Sequence, residues 1–212
     1  MAAGVRSGGK TAPSSISDVF QKANHRNDNQ LMDNLAELPN KLDKKNRQCR
    51  AIIETPKGCR NKFDYDPESK LFTLGGLLPK GLMFPYDFGF IPSTLGDDGD
   101  PVDIMIIMDE PAHVGCMLDV RILGVIEADQ TEDGKKTVNN RLIGIALHSY
   151  MHQHLDSVQD IDKATLDEVE EFFISYNKSR GKRFSVKAVN GPKRAIELLE
   201  QGIKKYKKEH GG

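Results

Sequence analysis

The sequence predicts an α+β domain built on a small antiparallel β-barrel or a strongly curled sheet, with helices at its C-terminal end. Short apolar or alternating runs, separated by Pro, Gly and Asp, occupy the chain from residue 51 to about residue 147. Two segments with helical periodicity follow them. The length of 212 residues and the hydrophobic content of 38% suffice for one domain with its own core.

The first 40 residues differ from the rest because they are rich in Gly, Ser, Ala, Asn and Asp and contain few apolar residues. We expect residues 1–40 to form a flexible or partly helical N-terminal arm, with short helical turns at Ile16–Ala23 and Leu31–Leu38. Residues 41–212 form the predicted folded domain.

After Pro39 the chain alternates between short strands and turns. The predicted strands are Ala51–Glu54, Lys62–Tyr65, Leu71–Leu74, Val102–Met108 and one or two strands within Val114–Ile126. Asp133-Gly134 predicts a hairpin turn between Ile122–Ile126 and Leu142–Leu147. The predicted helices are Ala164–Tyr176 and Pro192–Lys207, and the second has a proline near its first turn.

Composition excludes several classes of protein. Thirty basic and thirty-one acidic residues give a formal net charge of -1, which lacks the basic excess of a dedicated nucleic-acid binder. No apolar run reaches the ~18 residues of a membrane span, and the first thirty residues lack the apolar stretch of a secretory signal. Three scattered cysteines indicate neither a disulfide framework nor a zinc knuckle. We therefore expect a cytoplasmic protein with no membrane or nucleic-acid partner.

The most informative segment is Gly96–Asp103, in which four carboxylates lie within seven positions directly before a buried run. In an extended chain Asp98 and Asp100 lie on one face roughly 7 Å apart. Their repulsion is tolerable where solvent or a hard cation absorbs the charge, and Mg²⁺ prefers such carboxylate oxygens. The alternative interpretation is an acidic surface turn.

A second segment combines both signs of charge. Glu54 ends a predicted strand, and Lys57, Arg60 and Lys62 follow it. This mixture is able to seat an anion beside a metal ion. Without a partner motif, the favoured interpretation is a solvated loop of a half-exposed hairpin.

Three blocks of sequence together resemble the family I soluble inorganic pyrophosphatases. They are residues 54–63, with Glu54-Thr55-Pro56-Lys57-Gly58 and Asn61-Lys62-Phe63; residues 84–92, Phe84-Pro85-Tyr86-Asp87-Phe88-Gly89-Phe90-Ile91-Pro92; and residues 98–103, Asp98-Gly99-Asp100-Pro101-Val102-Asp103. The resemblance runs from about Ala51 to Lys182. It implies a five-stranded barrel of the OB type with flanking helices, Mg²⁺-dependent hydrolysis of pyrophosphate to two phosphates, and a homo-oligomer.

The resemblance also implies roles for individual residues. Asp98 and Asp103 match ligands of the activating metal ions, and Asp100 matches the general base that takes a proton from the attacking water. Glu54 matches a ligand for a metal ion that arrives with the substrate. Substrate contacts are implied for Lys62, Tyr176 and Arg141, the last at a position where the family has Lys; Asp64 stands where the family usually has Glu.

The chain departs from the family at several active-site positions. Gly76 stands where the family has a phosphate-binding Arg, and Asn177 replaces a Lys. Phe84 and Phe88 replace two Tyr, and in the hairpin Gln130 and Asn139 replace two Asp.

If the hairpin alignment slips, a carboxylate returns from Glu127, Asp129, Glu132 or Asp133. Replacement substrate cations are available at Lys57, Arg60, Lys80, Arg141, Lys178 or Lys182.

These departures leave two enzymatic hypotheses and one other. The first is a divergent pyrophosphatase that acts by direct attack of metal-activated water. The second is a homologue with weak or redirected phosphoanhydride hydrolysis. The third is a non-catalytic OB-like binding module, which requires exposed aromatic rings among basic residues.

Overall fold

A computed structural model describes residues 34–211 of the chain. The predicted turn at Ile16–Ala23 and the start of Leu31–Leu38 lie outside the described residues. The strands are β1 (Gln48–Thr55), β2 (Asn61–Asp66), β3 (Leu71–Leu77), β4 (Asp87–Ile91), β5 (Val102–Ile107), β6 (Met117–Glu132), β7 (Lys135–Val138), β8 (Arg141–Ala146) and β9 (Arg183–Asn190). The helices are α1 (Lys163–Ser179) and α2 (Pro192–His210), with short 3-10 helices at Leu35–Glu37 and Val158–Asp160.

Five strands form a closed ring. Their order is β1, β4, β5, β8, β6, and β6 pairs with β1 again. This ring confirms the predicted α+β fold with an OB-like barrel and C-terminal helices. One pair differs from the predicted antiparallel arrangement, because β5 and β8 run parallel. A long connection through β6 and β7 joins them, as parallel neighbours require.

Glycine permits a close contact between two strands of the ring. A β-carbon placed on Gly89 in β4 would lie 1.8 Å from the backbone oxygen of Ile52 in β1. No other residue fits this approach without a shift of the backbone. The barrel therefore depends on the absence of a side chain at position 89.

The core lies on both faces of β5. Met105 and Ile107 pack in a cluster that includes the aromatic residues of α1, whereas Ile104 and Ile106 pack in a second cluster with Leu199 of α2. Because alternate residues are buried on opposite faces, the strand is apolar from Ile104 to Ile107. Asp103, near the start of the strand, lines a cleft.

The predicted strands and helices are present with different bounds, and three strands were not predicted, namely β4, β7 and β9. The hairpin turn lies at Asp133-Gly134, both with positive φ (50° and 76°), as a two-residue type I′ turn requires. However, β6 extends to this turn and pairs there with β7, a strand that the sequence did not indicate. β9, which pairs with β6, was also not predicted.

Residues 34–40 contact the barrel. The Leu35 N–H donates to the Tyr65 hydroxyl (2.9 Å), and the Ser93 N–H donates to the Ala36 carbonyl (2.7 Å). None of the helices within residues 34–211 is both long and apolar enough to cross a membrane.

Candidate active site

A cleft of about 1250 Å³ opens beside the start of β5. The loop before this strand is tied across its base, since the Gly96 N–H donates to the Asp100 carbonyl (2.7 Å). Within the loop, the Asp100 N–H donates to Asp98 Oδ1 (3.3 Å). Gly99 has a positive φ of 95°, which favours glycine at this turn. The loop places the side chains of Asp98, Asp100 and Asp103 along one wall of the cleft.

The environment of these carboxyls disfavours negative charge. Dehydration inside the cleft raises the pKa of Asp98, Asp100 and Asp103 above the ordinary value. Repulsion adds to this effect, from Asp103 on Asp98 and from Asp98 on Asp100. Carboxylates held together under these conditions are typical of functional sites, where a cation offsets their charge.

Glu54 reaches the same cleft from β1. The strand is irregular between Ile53 and Thr55, and such bulges often redirect a side chain beside an active site. Glu54 Oε1 accepts the Tyr65 N–H (2.9 Å). Burial raises the pKa of Glu54 to about 7, and the charge of Asp103 adds to the increase. This carboxyl is therefore electrostatically coupled to the wall that β5 provides.

Two cations face the carboxylates. Lys62 in β2 forms an ion pair with Asp64, and burial lowers the pKa of Lys62 although Glu54 and Asp103 partly oppose the shift. Arg141, at the start of β8, forms an ion pair with Asp103. Its guanidinium carbon also lies 5.8 Å from the ring centroid of Phe173.

An aromatic cluster supports the third side of the cleft. Tyr176 stacks on Phe172 in α1, with ring centroids 5.9 Å apart and an interplanar angle of 12°. Phe84 contacts both rings, and Phe84 and Phe88 are buried within the cluster. The two Phe that replace Tyr therefore pack as core residues. Asn177 is also buried, and its side-chain amide donates to the Phe173 carbonyl (2.9 Å).

The hairpin places amides in the cleft. Gln130 and Asn139 both line it, and Asn139 Nδ2 donates to Gln130 Oε1 (3.2 Å). The other polar atom of this side chain, Asn139 Oδ1, is buried and accepts no hydrogen bond in the described part of the chain. A side-chain oxygen without a hydrogen-bond partner thus belongs to a residue that lines the same cleft as the carboxylates.

The alternative hairpin carboxylates divide into two groups. Glu127 is held by Arg194 (2.8 Å), and Asp129 by Lys136 (2.7 Å) and Lys187 (3.1 Å). Neither Glu127 nor Asp129 lines the cleft, whereas Glu132 and Asp133 do.

The structure brings all seven sequence-predicted site residues to one cleft. These residues are Glu54, Lys62, Asp98, Asp100, Asp103, Arg141 and Tyr176. Among the candidate replacement cations, Arg141 and Lys182 line the cleft, and the others, Lys57, Arg60, Lys80 and Lys178, do not.

Sequence reasoning missed three cations that line the cleft: Lys135, Lys136 and Arg180. Lys135 and Lys136 belong to the unpredicted strand β7. Arg180 follows Tyr176 by four residues, a spacing that places both on one helical face. This spacing was the available signal for Arg180.

Comparison with known proteins gives a consistent result. Residues 51–207 match the model of the Pyrophosphatase family, which is described as inorganic pyrophosphatase. The chain is 33% identical over 156 residues to an inorganic pyrophosphatase from Synechocystis, covering 74% of this chain and 90% of the relative. It is 32% identical to one from Geobacillus stearothermophilus, covering 77% and 97%. The crystal structure of inorganic pyrophosphatase from Thermus thermophilus superimposes with a TM-score of 0.75 at 30% identity, covering 82% and 99%.

Proposed function

Because this chain belongs to the inorganic pyrophosphatase family, we propose that it hydrolyses pyrophosphate to two phosphates, with Mg²⁺ as its activating ion. The observation that carries the proposal is the meeting of three aspartates from one strand end with Lys62 in a single cleft. The family depends on divalent metal ions in general. We propose that this chain uses Mg²⁺ and binds several ions per site.

The donor set suits Mg²⁺. Within residues 34–211, no three His, Cys, Asp or Glu side chains lie close enough together to hold a metal ion as a group. Mg²⁺ does not need such a group, because it binds through one or two carboxylates and keeps several waters or substrate oxygens. The unsatisfied oxygen of Asn139 adds a hard donor of the right kind. Bound Mg²⁺ would lower the pKa of a water and polarise the phosphoryl group.

The protein residues then have separate tasks. Asp98 and Asp103 would hold the metal ions, and Glu54 would hold an ion that accompanies the substrate. Asp100 accepts the proton of the attacking water, and its raised pKa brings it closer to the operating pH of a general base. No covalent intermediate forms, since the water attacks phosphorus directly.

Positive and polar groups position the substrate. Lys62 and Tyr176 contact phosphoryl oxygens, whose developing charge a cation stabilises. Arg141 is proposed to do the same. Because it pairs with Asp103 in the structure, it must exchange this carboxylate for a phosphoryl oxygen when metal and substrate bind.

The binding-module hypothesis loses its main requirement. Phe84, Phe88 and Phe90 have at most 9% of their surface exposed, and Tyr86 packs against the core. This block therefore offers no platform on which bases stack. We retain redirected phosphoanhydride hydrolysis as an outcome of the experiment.

The experiment measures phosphate release from pyrophosphate, tripolyphosphate and a nucleotide with Mg²⁺, Mn²⁺ and Zn²⁺ in turn. We expect pyrophosphate with Mg²⁺ to be the best combination. Asp100→Asn should lower turnover by about 10² to 10⁴-fold, the typical contribution of a general base, while Mg²⁺ binding persists. Asp97→Asn is the matched control, because Asp97 also lines the cleft but forms an ion pair with Lys205. Normal turnover of Asp100→Asn contradicts the assignment.

We also propose a cytoplasmic homo-oligomer. Several large apolar side chains are exposed on and after β3, namely Leu71, Leu74, Leu77 and Met83. Exposed apolar groups in one region are typical of a protein contact. Sedimentation equilibrium measures the assembly, and a monomeric mass at all concentrations contradicts it.

A further inference from the structure

Arg180 lies at the C-terminal cap of α1 and lines the cleft. Its Nη1 donates to the Tyr176 hydroxyl (3.3 Å), and its guanidinium carbon lies 5.6 Å from the centroid of the Tyr176 ring. Tyr176 is itself stacked on Phe172. The aromatic cluster thus holds the guanidinium at one side of the cleft.

The guanidinium occupies space that a side chain at position 76 would fill. A β-carbon placed on Gly76 would lie 3.0 Å from Arg180 Nη1, with no other heavy atom among its close neighbours. Gly76 pairs directly with Lys62 across β2 and β3. Residues opposite each other in an antiparallel pair project from the same face. Arg180 therefore places its charge on the face from which Lys62 projects.

The positive charge of Arg180 is not compensated by a carboxylate. Lys62, Arg141 and Lys182 each form an ion pair, with Asp64, Asp103 and Glu132 respectively. Arg180 forms none with the residues that the structure describes, and Tyr176, its side-chain partner, is neutral. Its proximity also helps to lower the pKa of Lys62. Two like charges held close together are typical of a site that binds an anion.

We propose that Arg180 binds a phosphoryl group of the substrate, supplying from α1 the cation that β3 lacks at Gly76. The planar guanidinium has five N–H donors, of which one contacts Tyr176, so a bidentate pair remains available for phosphate oxygens. This inference rests on the proposed function and adds a residue to its substrate site.

The first test compares Arg180→Gln and Arg180→Lys with the wild type. Arg180→Gln is expected to raise the KM for pyrophosphate about tenfold to a hundredfold, the effect of losing a charge-assisted hydrogen bond, with a smaller change in kcat. Arg180→Lys keeps the charge but loses the pair of parallel N–H donors. Its KM should therefore lie between those of the wild type and Arg180→Gln. Arg183→Gln removes an exposed arginine outside the cleft and should leave KM unchanged. Thermal melts verify that the variants fold.

The second test moves the cation. Gly76→Arg in the Arg180→Gln background should restore KM to within a few-fold of the wild type, since the β-carbon then meets no guanidinium. A purely structural role of Arg180 at the end of α1 predicts no such rescue. An unchanged KM for Arg180→Gln, or a raised KM that Gly76→Arg fails to restore, overturns the inference while leaving the proposed function intact.

Binding separates the two proposals. Calorimetry with Mg²⁺ and imidodiphosphate, a non-hydrolysable analogue of pyrophosphate, measures affinity without turnover. Weaker binding by Arg180→Gln but not by Arg183→Gln supports the inference even if the wild type releases no phosphate, which would refute only the proposed function. Equal binding by wild type and Arg180→Gln, or none by the wild type, overturns the inference.

Discussion

The buried carboxyl of Glu54 gives the sharpest prediction, because its role in the site conflicts with the stability of the fold. Burial raises its pKa from 4.5 to about 7. Glu54→Gln keeps the shape of the side chain and the oxygen that accepts the Tyr65 N–H, but it removes the ionisation. The metal-free variant should therefore be more stable than the wild type at alkaline pH.

The magnitude follows from proton linkage. Between pH 4.5 and 7 the folded protein binds the proton of Glu54 more tightly than the unfolded chain. The wild type consequently loses stability as the pH rises through this window. A shift from 4.5 to about 7 corresponds to about 3 kcal/mol, since each pKa unit contributes about 1.4 kcal/mol. The advantage of Glu54→Gln should be near zero at pH 4 and complete above pH 8.

Urea unfolding in EDTA at each pH measures this difference, and titrating groups that do not interact with Glu54 cancel between the two proteins. Glu127→Gln is a control of opposite sign, because hydrogen bonds from Arg194 lower the pKa of Glu127. That variant should lose about 1 kcal/mol at neutral pH, and its deficit should shrink as the pH falls below 4. Equal stability of Glu54→Gln and wild type from pH 4 to 9 would show that Glu54 is not dehydrated.

Two further predictions concern the metal site and the arm. Asn139→Asp should lower the Mg²⁺ concentration for half-maximal activity about tenfold, because an added negative charge on a ligand strengthens the binding of a hard cation. Asn140→Asp is the matched control, because Asn140 is the next residue and does not line the cleft. A magnesium titration that shows equal shifts for the two variants contradicts the reasoning. Deletion of residues 1–30 should preserve both the cooperative thermal melt and the sedimentation mass; loss of either would assign the arm a structural role.

Local patterns in the sequence predicted most of the fold. The hairpin was readable because Asp133 and Gly134 tolerate the positive φ of a tight turn. β9 carried a signal as well, since Phe184, Val186 and Ala188 alternate with polar residues. The order of strands first and helices last nevertheless predicts no strand after α1. The parallel β5–β8 pair has no local signature, since partner choice depends on the closure of the whole ring.

The candidate site was predictable where its residues are close in sequence. The aspartates at 98, 100 and 103 fall in one loop, and their meeting requires no long-range information. Arg180 and Gly76 are more than a hundred residues apart, and only the packing of α1 against the barrel brings them together. A position-by-position comparison of sequences shows that a cation is missing at Gly76. It does not show that a cation from another element, Arg180, lies in the same place.

The same distinction applies to the two amides in the hairpin. Gln130 and Asn139 are neutral, and of the two hairpin carboxylates that line the cleft, Glu132 is paired with Lys182, so less negative charge is left to attract a metal ion. The substrate side, by contrast, regains a cation through Arg180. The chain has thus kept more of the charge that attracts pyrophosphate than of the charge that attracts Mg²⁺. We therefore expect two differences of unequal size from an enzyme that has all the family's active-site residues. The Mg²⁺ concentration for half-maximal activity should differ more than the KM for pyrophosphate.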